Sequence, residues 1–240
     1  MDSLSEFSSI SVHHEGGEQF GLRLIEPASF RALGQMTADA AVYNMRTLAT
    51  AIRFLALNEK CKRLFVPVDM ETLERYGTEY ARMLMTIPDA YRSKMFLELD
   101  TQGRPITEGT TVFSRSIQDD CGMSLAVWTK SCALPYVGQV VQALTPAVFG
   151  IDRRCVKKAS QGGARICVLD AMERGLEGGA RVLADGVDTA EALNSMREIG
   201  VELFSGTAVS EVRKVEPGEY RSNVALMSSH ERRAASAGTA

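Results

Sequence analysis

The sequence predicts an α/β barrel: one parallel sheet closed on itself and wrapped by helices. Three observations point there. Strand-like and helix-like stretches alternate almost throughout the chain, the pattern of parallel strands joined by crossover helices. About eight strands fit into 240 residues, a length that α/β barrels use as one domain. The stretch Ala180 to Gly206 reads as a complete βαβ unit. In it, Val182, Leu183 and Ala184 stop at Asp185-Gly186, and Asp188-Thr189 follows as a cap with Glu191 two residues on. Ala192, Leu193, Met196 and Ile199 then share one helical face closed by Gly200, and Val201 to Phe204 is a second strand ending in Ser205-Gly206.

The earlier elements follow in order. Residues 1–17 are rich in Ser, Glu and Gly and are expected to be loose, with the barrel spanning 18–212. Phe20 to Ile25 is a first strand. Thr37 to Leu57 is a helix capped by Thr37, with Ala41, Met45, Leu48, Ile52 and Leu55 on its inner face. Arg63 to Val68 is a strand in which Pro67 predicts a bulge or a strand end, because proline gives no ladder donor. Glu71 to Ile87 is a helix with Leu73, Tyr76, Tyr80, Leu84 and Ile87 inward. Strands at Met95 to Leu99, Met123 to Trp128 and Ala147 to Ile151 alternate with helices at 107–120, 136–144 and 153–160. Ile166 to Leu169 alone would suit a buried strand, but a crossover must precede the strand at 181, so 164–176 is read as a helix. Residues 213–240 are polar and small and are expected to form a flexible tail.

Composition narrows the function. Net charge is −3, from 27 basic and 30 acidic side chains, so no phosphate-neutralising surface and no nucleic-acid partner is expected. No apolar run nears the roughly 20 residues that cross a bilayer, and the polar start lacks the features of a signal peptide. Cys61, Cys121, Cys132, Cys155 and Cys167 form no CxxC or metal spacing and read as reduced thiols of a cytoplasmic protein. His13, His14 and His230 fall in the expected tails, which leaves no histidine–nucleophile pair in the packed domain. No glycine-rich phosphate loop is present: Gly162-Gly163 and Gly178-Gly179 read as helix ends.

The closing stretch resembles the end of an EAL domain, the cyclic di-GMP phosphodiesterase barrel. Where that family runs AEGVET, helix, LG, strand, QG, this chain has ADGVDT, REIG and SG. The likeness covers about residues 20–212 and is weakest at the start. It implies a TIM-like barrel of EAL type in a single domain. It also implies a set of site positions. FGLRLIEP puts Leu22 on the glutamate of the opening motif. VPVD puts Pro67 on a metal-binding Asn, with Asp69 two residues on. FLELD keeps Glu98 as a metal-binding glutamate. SLAVW places Ala126 and Val127 on the paired acids, and FGID places Gly150 on a water-activating lysine while keeping Asp152. Asp185 and Asp188 stand for the two glutamates of AEGVE, and Ser205 for the glutamine.

Two-metal hydrolysis requires several carboxylates converging on two cations, about 3.5–4 Å apart. Leu22, Pro67, Ala126, Val127 and Gly150 supply no such oxygens or base, so the resemblance implies an inactive phosphodiesterase homologue with no catalytic residues, no metal and no cofactor. Asp69, Glu98, Asp152, Asp185 and Asp188 would then be remnants, or solvated acids at strand ends, with Asp152 and Asp185 as helix caps. The implied function is that of a cytoplasmic bacterial signalling protein acting by protein–protein contact, with cyclic di-GMP binding weak or absent. The family often forms homodimers, and one is compatible with this chain. The alternatives are a cyclic di-GMP sensor without hydrolysis, contacting the nucleotide through Trp128, Lys130, Arg153 and Arg154, and a repurposed barrel hydrolase.

Overall fold

The computed structural model describes residues 8–25, 39–101, 103–129, 134–163 and 165–214. Among them, nine strands form one sheet. They are β1 (Ser8–His14), β2 (Gln19–Ile25), β3 (Leu64–Asp69), β4 (Met95–Asp100), β5 (Ser124–Thr129), β6 (Val148–Ile151), β7 (Arg181–Asp185), β8 (Leu203–Ser205) and β9 (Arg213–Lys214). The sheet runs β2-β3-β4-β5-β6-β7-β8-β1-β9, and β1 also pairs with β2, so the first eight strands close into a barrel. β2 to β8 are parallel, whereas β1 lies antiparallel between β2 and β8 and seals the seam. The helices are α1 (Asp39–Leu57), α2 (Met70–Met85), α3 (Asp89–Arg92), α4 (Glu108–Arg115), α5 (Leu134–Leu144), α6 (Arg153–Ser160), α7 (Arg165–Glu177) and α8 (Ala190–Glu198).

Local sequence sets these boundaries. Thr107, Asp152 and Thr189 are N-caps whose side chains accept from Thr110 N, Arg154 N and Ala192 N, satisfying donors that a first turn leaves free. The stretch after α4 widens into a π-helical turn at Ser116–Asp120. Residues 165–177 are helical, as the need for a crossover before β7 requires.

The structure corrects several expectations. Ser8–His14 is strand rather than loose N-terminus: its apolar Ile10 and Val12 are buried, and barrel closure consumes both its edges. His13 and His14 therefore lie in the barrel wall, and His13 is 1 % exposed. Arg213–Lys214 pair with Ser8 and Ser9, so the start of the expected tail is also in the sheet. The proposed cap Thr37, Lys130 and the tail beyond 214 lie outside the described residues. Pro67 causes no bulge, since the β3–β4 register runs unbroken from Leu64 to Asp69. Leu64 N donates to Lys94 O, so Pro67, an odd number of residues on, turns its nitrogen toward β2, where pairing has ended after Arg23 and Phe65. Tyr76 is exposed because α2 kinks there (φ −130°, ψ 19°), and Met45 is also on the solvent face of α1.

The barrel interior is an aromatic column. Phe65 stacks on Phe96 with ring centroids 5.0 Å apart, and Phe20 packs near both at 6.2 and 6.1 Å. Trp128 meets Phe65 edge-on at 6.2 Å. Buried rings of this size carry much of a core's energy, and each pair adds about 0.5–1.5 kcal/mol beyond area burial. At the strand N-termini, Arg63 and Arg181 lie over the Phe20 ring, 4.4 and 5.4 Å from its centroid. Val12, Ala126, Val148, Leu183 and Leu203 fill the rest of the interior, and the larger clusters lie between sheet and helices.

Gly150 explains how Trp128 fits. A Cβ on Gly150 would lie 2.4 Å from the Trp128 ring, so this position of β6 must have no side chain for the indole to cross the barrel. Gly150→Ala is expected to cost about 1–3 kcal/mol by overpacking. Trp128→Leu in the same chain should recover part of that loss, and urea denaturation of the single and double variants checks both.

Candidate functional site

The carboxyl ends of parallel strands are where α/β barrels place their chemistry, and here that end is occupied by an ion cluster. Arg23 projects from β2 into the mouth. Its Nε and Nη2 donate to Glu98 Oε2 and Oε1 at 2.6 and 2.5 Å. Its Nη1 lies 2.7 Å from Asp185 Oδ1. The guanidinium carbon sits 4.6 Å from the centroid of the Trp128 ring. One planar cation thus has an edge forked on Glu98 of β4 and another on Asp185 of β7, and it lies over the indole.

The cluster is largely shielded from water: side-chain exposure is 19 % for Arg23, 8 % for Glu98 and 18 % for Asp185. Burial opposes the charge of Arg23, but Glu98 and Asp185 more than offset it and the guanidinium pKa is raised. Burial pushes the Glu98 carboxyl above its usual range, and the Arg23 guanidinium pulls it back. A buried carboxylate held in a two-point fork with a guanidinium is the arrangement in which charge survives away from water.

A bulge brings Arg23 inward. The β1–β2 register steps from Val12 opposite Gly21 to His13 opposite Gln19, which leaves Phe20 as an extra residue of β2. Alternation is thereby reset. Phe20 and Arg23 both face the interior, while Leu22 and Leu24 pack outward against the helices. Leu22 is therefore not at the mouth, and Arg23 is the residue that β2 contributes there.

The other predicted positions separate into distinct places. Pro67 and Ala126 flank Glu98 in register on the two neighbouring strands. Val127 packs outward, away from the mouth, and Ala126 and Trp128 are the inward residues of β5. Asp69 belongs to a neighbouring network: its backbone N–H donates to Asn44 Oδ1 at 3.4 Å, and Asn44 Nδ2 donates to Thr72 Oγ1 at 2.5 Å. Burial raises the Asp69 carboxyl, with the Asn44 hydrogen bond acting against it. Asp152 is the cap of α6, as expected, whereas Asp185 is bound to Arg23 rather than capping a helix.

Asp188 accepts from both the backbone N–H and the hydroxyl of Thr207 at 3.0 Å, and lies 3.8 Å from Arg153 Nε. Together with Val187 N donating to Ser205 O and Ala208 N to Val187 O, this zips the loop after β7 to the loop after β8. Gly206 is required at that junction because a Cβ there would lie 2.3 Å from Val187 O. The Asp-Gly-Val-Asp and Ser-Gly pieces noted in the sequence thus hold two loops together. Ser205 Oγ and Trp128 Nε1 are buried with no hydrogen-bond partner among the described residues. Of the suggested nucleotide contacts, Trp128 is buried beneath Arg23, Arg153 is largely exposed, and Lys130 is outside the described residues.

Removing the cation from this cluster has a predictable pH signature. Arg23→Met leaves Glu98 buried without its counter-charge, which is expected to cost about 3–5 kcal/mol at neutral pH. Without Arg23 every remaining influence on Glu98 is upward: burial first, then the charges of Asp185 and Asp100. A folded pKa above the unfolded value, about 4.3 for glutamate, gives stability that is complete below the unfolded pKa and is lost as pH rises through the folded one. Urea midpoints of Arg23→Met should therefore fall as pH rises from about 4 toward neutrality. In Arg23→Met with Glu98→Gln that dependence should vanish.

In sequence the chain matches no protein-family model and no curated protein. In structure it is similar to several solved proteins. The FimX EAL domain of Xanthomonas citri, solved in complex with c-di-GMP, superposes with a TM-score of 0.73 at 14 % identity, covering 91 % of each chain. BlrP1 of Klebsiella pneumoniae, solved as a manganese and cyclic di-GMP complex, gives 0.74 at 14 % identity over 88 % of this chain and 57 % of that one. The S helix-GGDEF-EAL portion of Vibrio cholerae LapD gives 0.72 at 14 % identity over 85 % and 52 %. The chain thus spans about half the length of the LapD and BlrP1 chains. Eight strands with an antiparallel first strand at the seam, helices outside and these superpositions agree: the chain has the TIM-like barrel fold of EAL domains.

Proposed function

We propose that this chain is a non-catalytic EAL-type signalling protein that no longer hydrolyses cyclic di-GMP and acts by contact with another protein. The observation that carries the reading is the Arg23 guanidinium held in the mouth by Glu98 and Asp185. A metal-assisted phosphodiesterase needs carboxylates free to converge on cations. Here Glu98 and Asp185 are already matched by a tethered cation. Their in-register neighbours on the strands beside Glu98, Pro67 and Ala126, bring no side-chain oxygen. Among the described residues, no three His, Cys, Asp or Glu side chains gather where a metal could be held. The described residues do not fit a pair of metals. On this reading Arg23, rather than Leu22, stands at the place of the opening-motif glutamate, which exchanges an anionic ligand for a cation.

A repurposed hydrolase would need a free acid–base pair at the same end, and Glu98 and Asp185 are both committed to Arg23. The fold around the mouth is kept intact by cap, zipper and aromatic column, as a binding scaffold requires. Among the described residues no helix is long and apolar enough to cross a membrane.

Purified protein incubated with cyclic di-GMP and Mn²⁺ or Mg²⁺ is expected to give no linear product above blank. Turnover abolished by Glu98→Gln would overturn the reading. Titration calorimetry with cyclic di-GMP is expected to give no binding at micromolar concentrations, about −8 kcal/mol. Tighter binding would instead favour a nucleotide sensor over a protein-contact scaffold.

A further inference from the structure

The geometry at the mouth points to a binding site for a planar guanidinium cation, which we propose is filled in cis by Arg23. The site is more specific than an acidic pocket. Glu98 engages Nε and Nη2 together, Asp185 takes Nη1, and the guanidinium carbon lies over the Trp128 ring. The first two contacts use properties that an ammonium or a metal ion lacks, a rigid fork and a third coplanar donor, and the indole adds a cation–π contact. The receptor half is preformed on other strands. Glu98 lies on β4 and Asp185 on β7, and the indole is fixed by Phe65 at its edge and by Gly150 beneath it. Two carboxylates and an indole ring remain when the Arg23 side chain is removed, and that set matches a free alkylguanidinium. The inference concerns the occupant of the site and is independent of whether the protein acts through a partner or a nucleotide.

Two consequences follow. In the native chain the mouth is closed to free cations, because its two central acids carry an attached counter-ion at a very high effective concentration. In Arg23→Ala the receptor is vacant, and ethylguanidinium, which replaces the atoms removed beyond Cβ, should occupy it.

Thermal unfolding of the full chain reads both. Arg23→Ala is expected to melt several degrees below the native protein. Millimolar ethylguanidinium should restore much of that difference with a saturating dependence, whereas equal concentrations of ethylammonium or Mn²⁺ should not. The native protein should show no stabilisation by ethylguanidinium or Mn²⁺, and no change on adding a chelator. Equal rescue by ethylammonium or Mn²⁺ would overturn the proposal, since charge alone would then suffice. A folded Arg23→Ala protein that ethylguanidinium does not stabilise would overturn it, and so would a native melting point that shifts with Mn²⁺ or chelator. If Arg23→Ala does not fold, Arg23→Lys decides. It keeps the charge and loses the fork and plane, so it should melt well below the native protein, and a native melting point would sink the proposal.

Discussion

A cation can lie inside a protein only where its charge is matched at once, because a bare buried ion costs more than a fold of this size has to spare. The match for Arg23 comes from two directions around the barrel. Glu98 is two strands away on one side, and Asp185 is three strands away on the other, across the seam made by β8 and β1. The cluster therefore braces the barrel across its own interior at the carboxyl ends of the strands, beside Trp128. Other features serve this arrangement. The extra residue at Phe20 turns Arg23 inward, Gly150 makes room for the indole, and Phe65 and Phe96 support it from below.

The architecture was legible because it depends on periodicities that a single sequence displays. Alternating runs of apolar strand and amphipathic helix specify a wound parallel sheet, and the crossover rule made 165–177 a helix where its apolar residues alone suggested a strand. The stretch from Arg181 to Ser205 was read correctly because its signals are local: a cap at Thr189, a stop at Gly200, short strands on either side. The first strand was missed for the opposite reason. SSISVHH alternates serine with small apolar residues, and its burial is completed only by β8, at the far end of the barrel sequence.

The site was legible in its acids and not in its cation. Glu98 and Asp185 fall at strand ends, where motif and register agree. Arg23 is hidden because the motif match places Leu22, one residue earlier, on the opening glutamate. One extra residue reverses which side chains point inward, and a bulge leaves no clear mark in composition. The available signal was the oddness of a lone arginine within an otherwise apolar strand, Phe20 to Ile25. Pro67 misled for a related reason. A proline's effect in a sheet depends on which neighbour its nitrogen faces, and that side of β3 had already lost its partner.

The antiparallel strand at the seam has a consequence for assembly. β1 pairs with β8, and Ser11 N–H also reaches the hydroxyl of Ser210, 199 positions later in the chain. Every other neighbouring pair in the parallel wall can form as its helix is laid down, but the cylinder cannot shut until its last parallel strand has arrived. Until then β1, which pairs with its sequence neighbour β2, and β8 carry open edges, each offering unpaired backbone groups to any extended segment. Contacts so distant in sequence are the slowest to be found. The β1–β8 seam is therefore the last joint to be made, and the barrel spends its formation as an open sheet whose N-terminal hairpin must finally meet its last parallel strand.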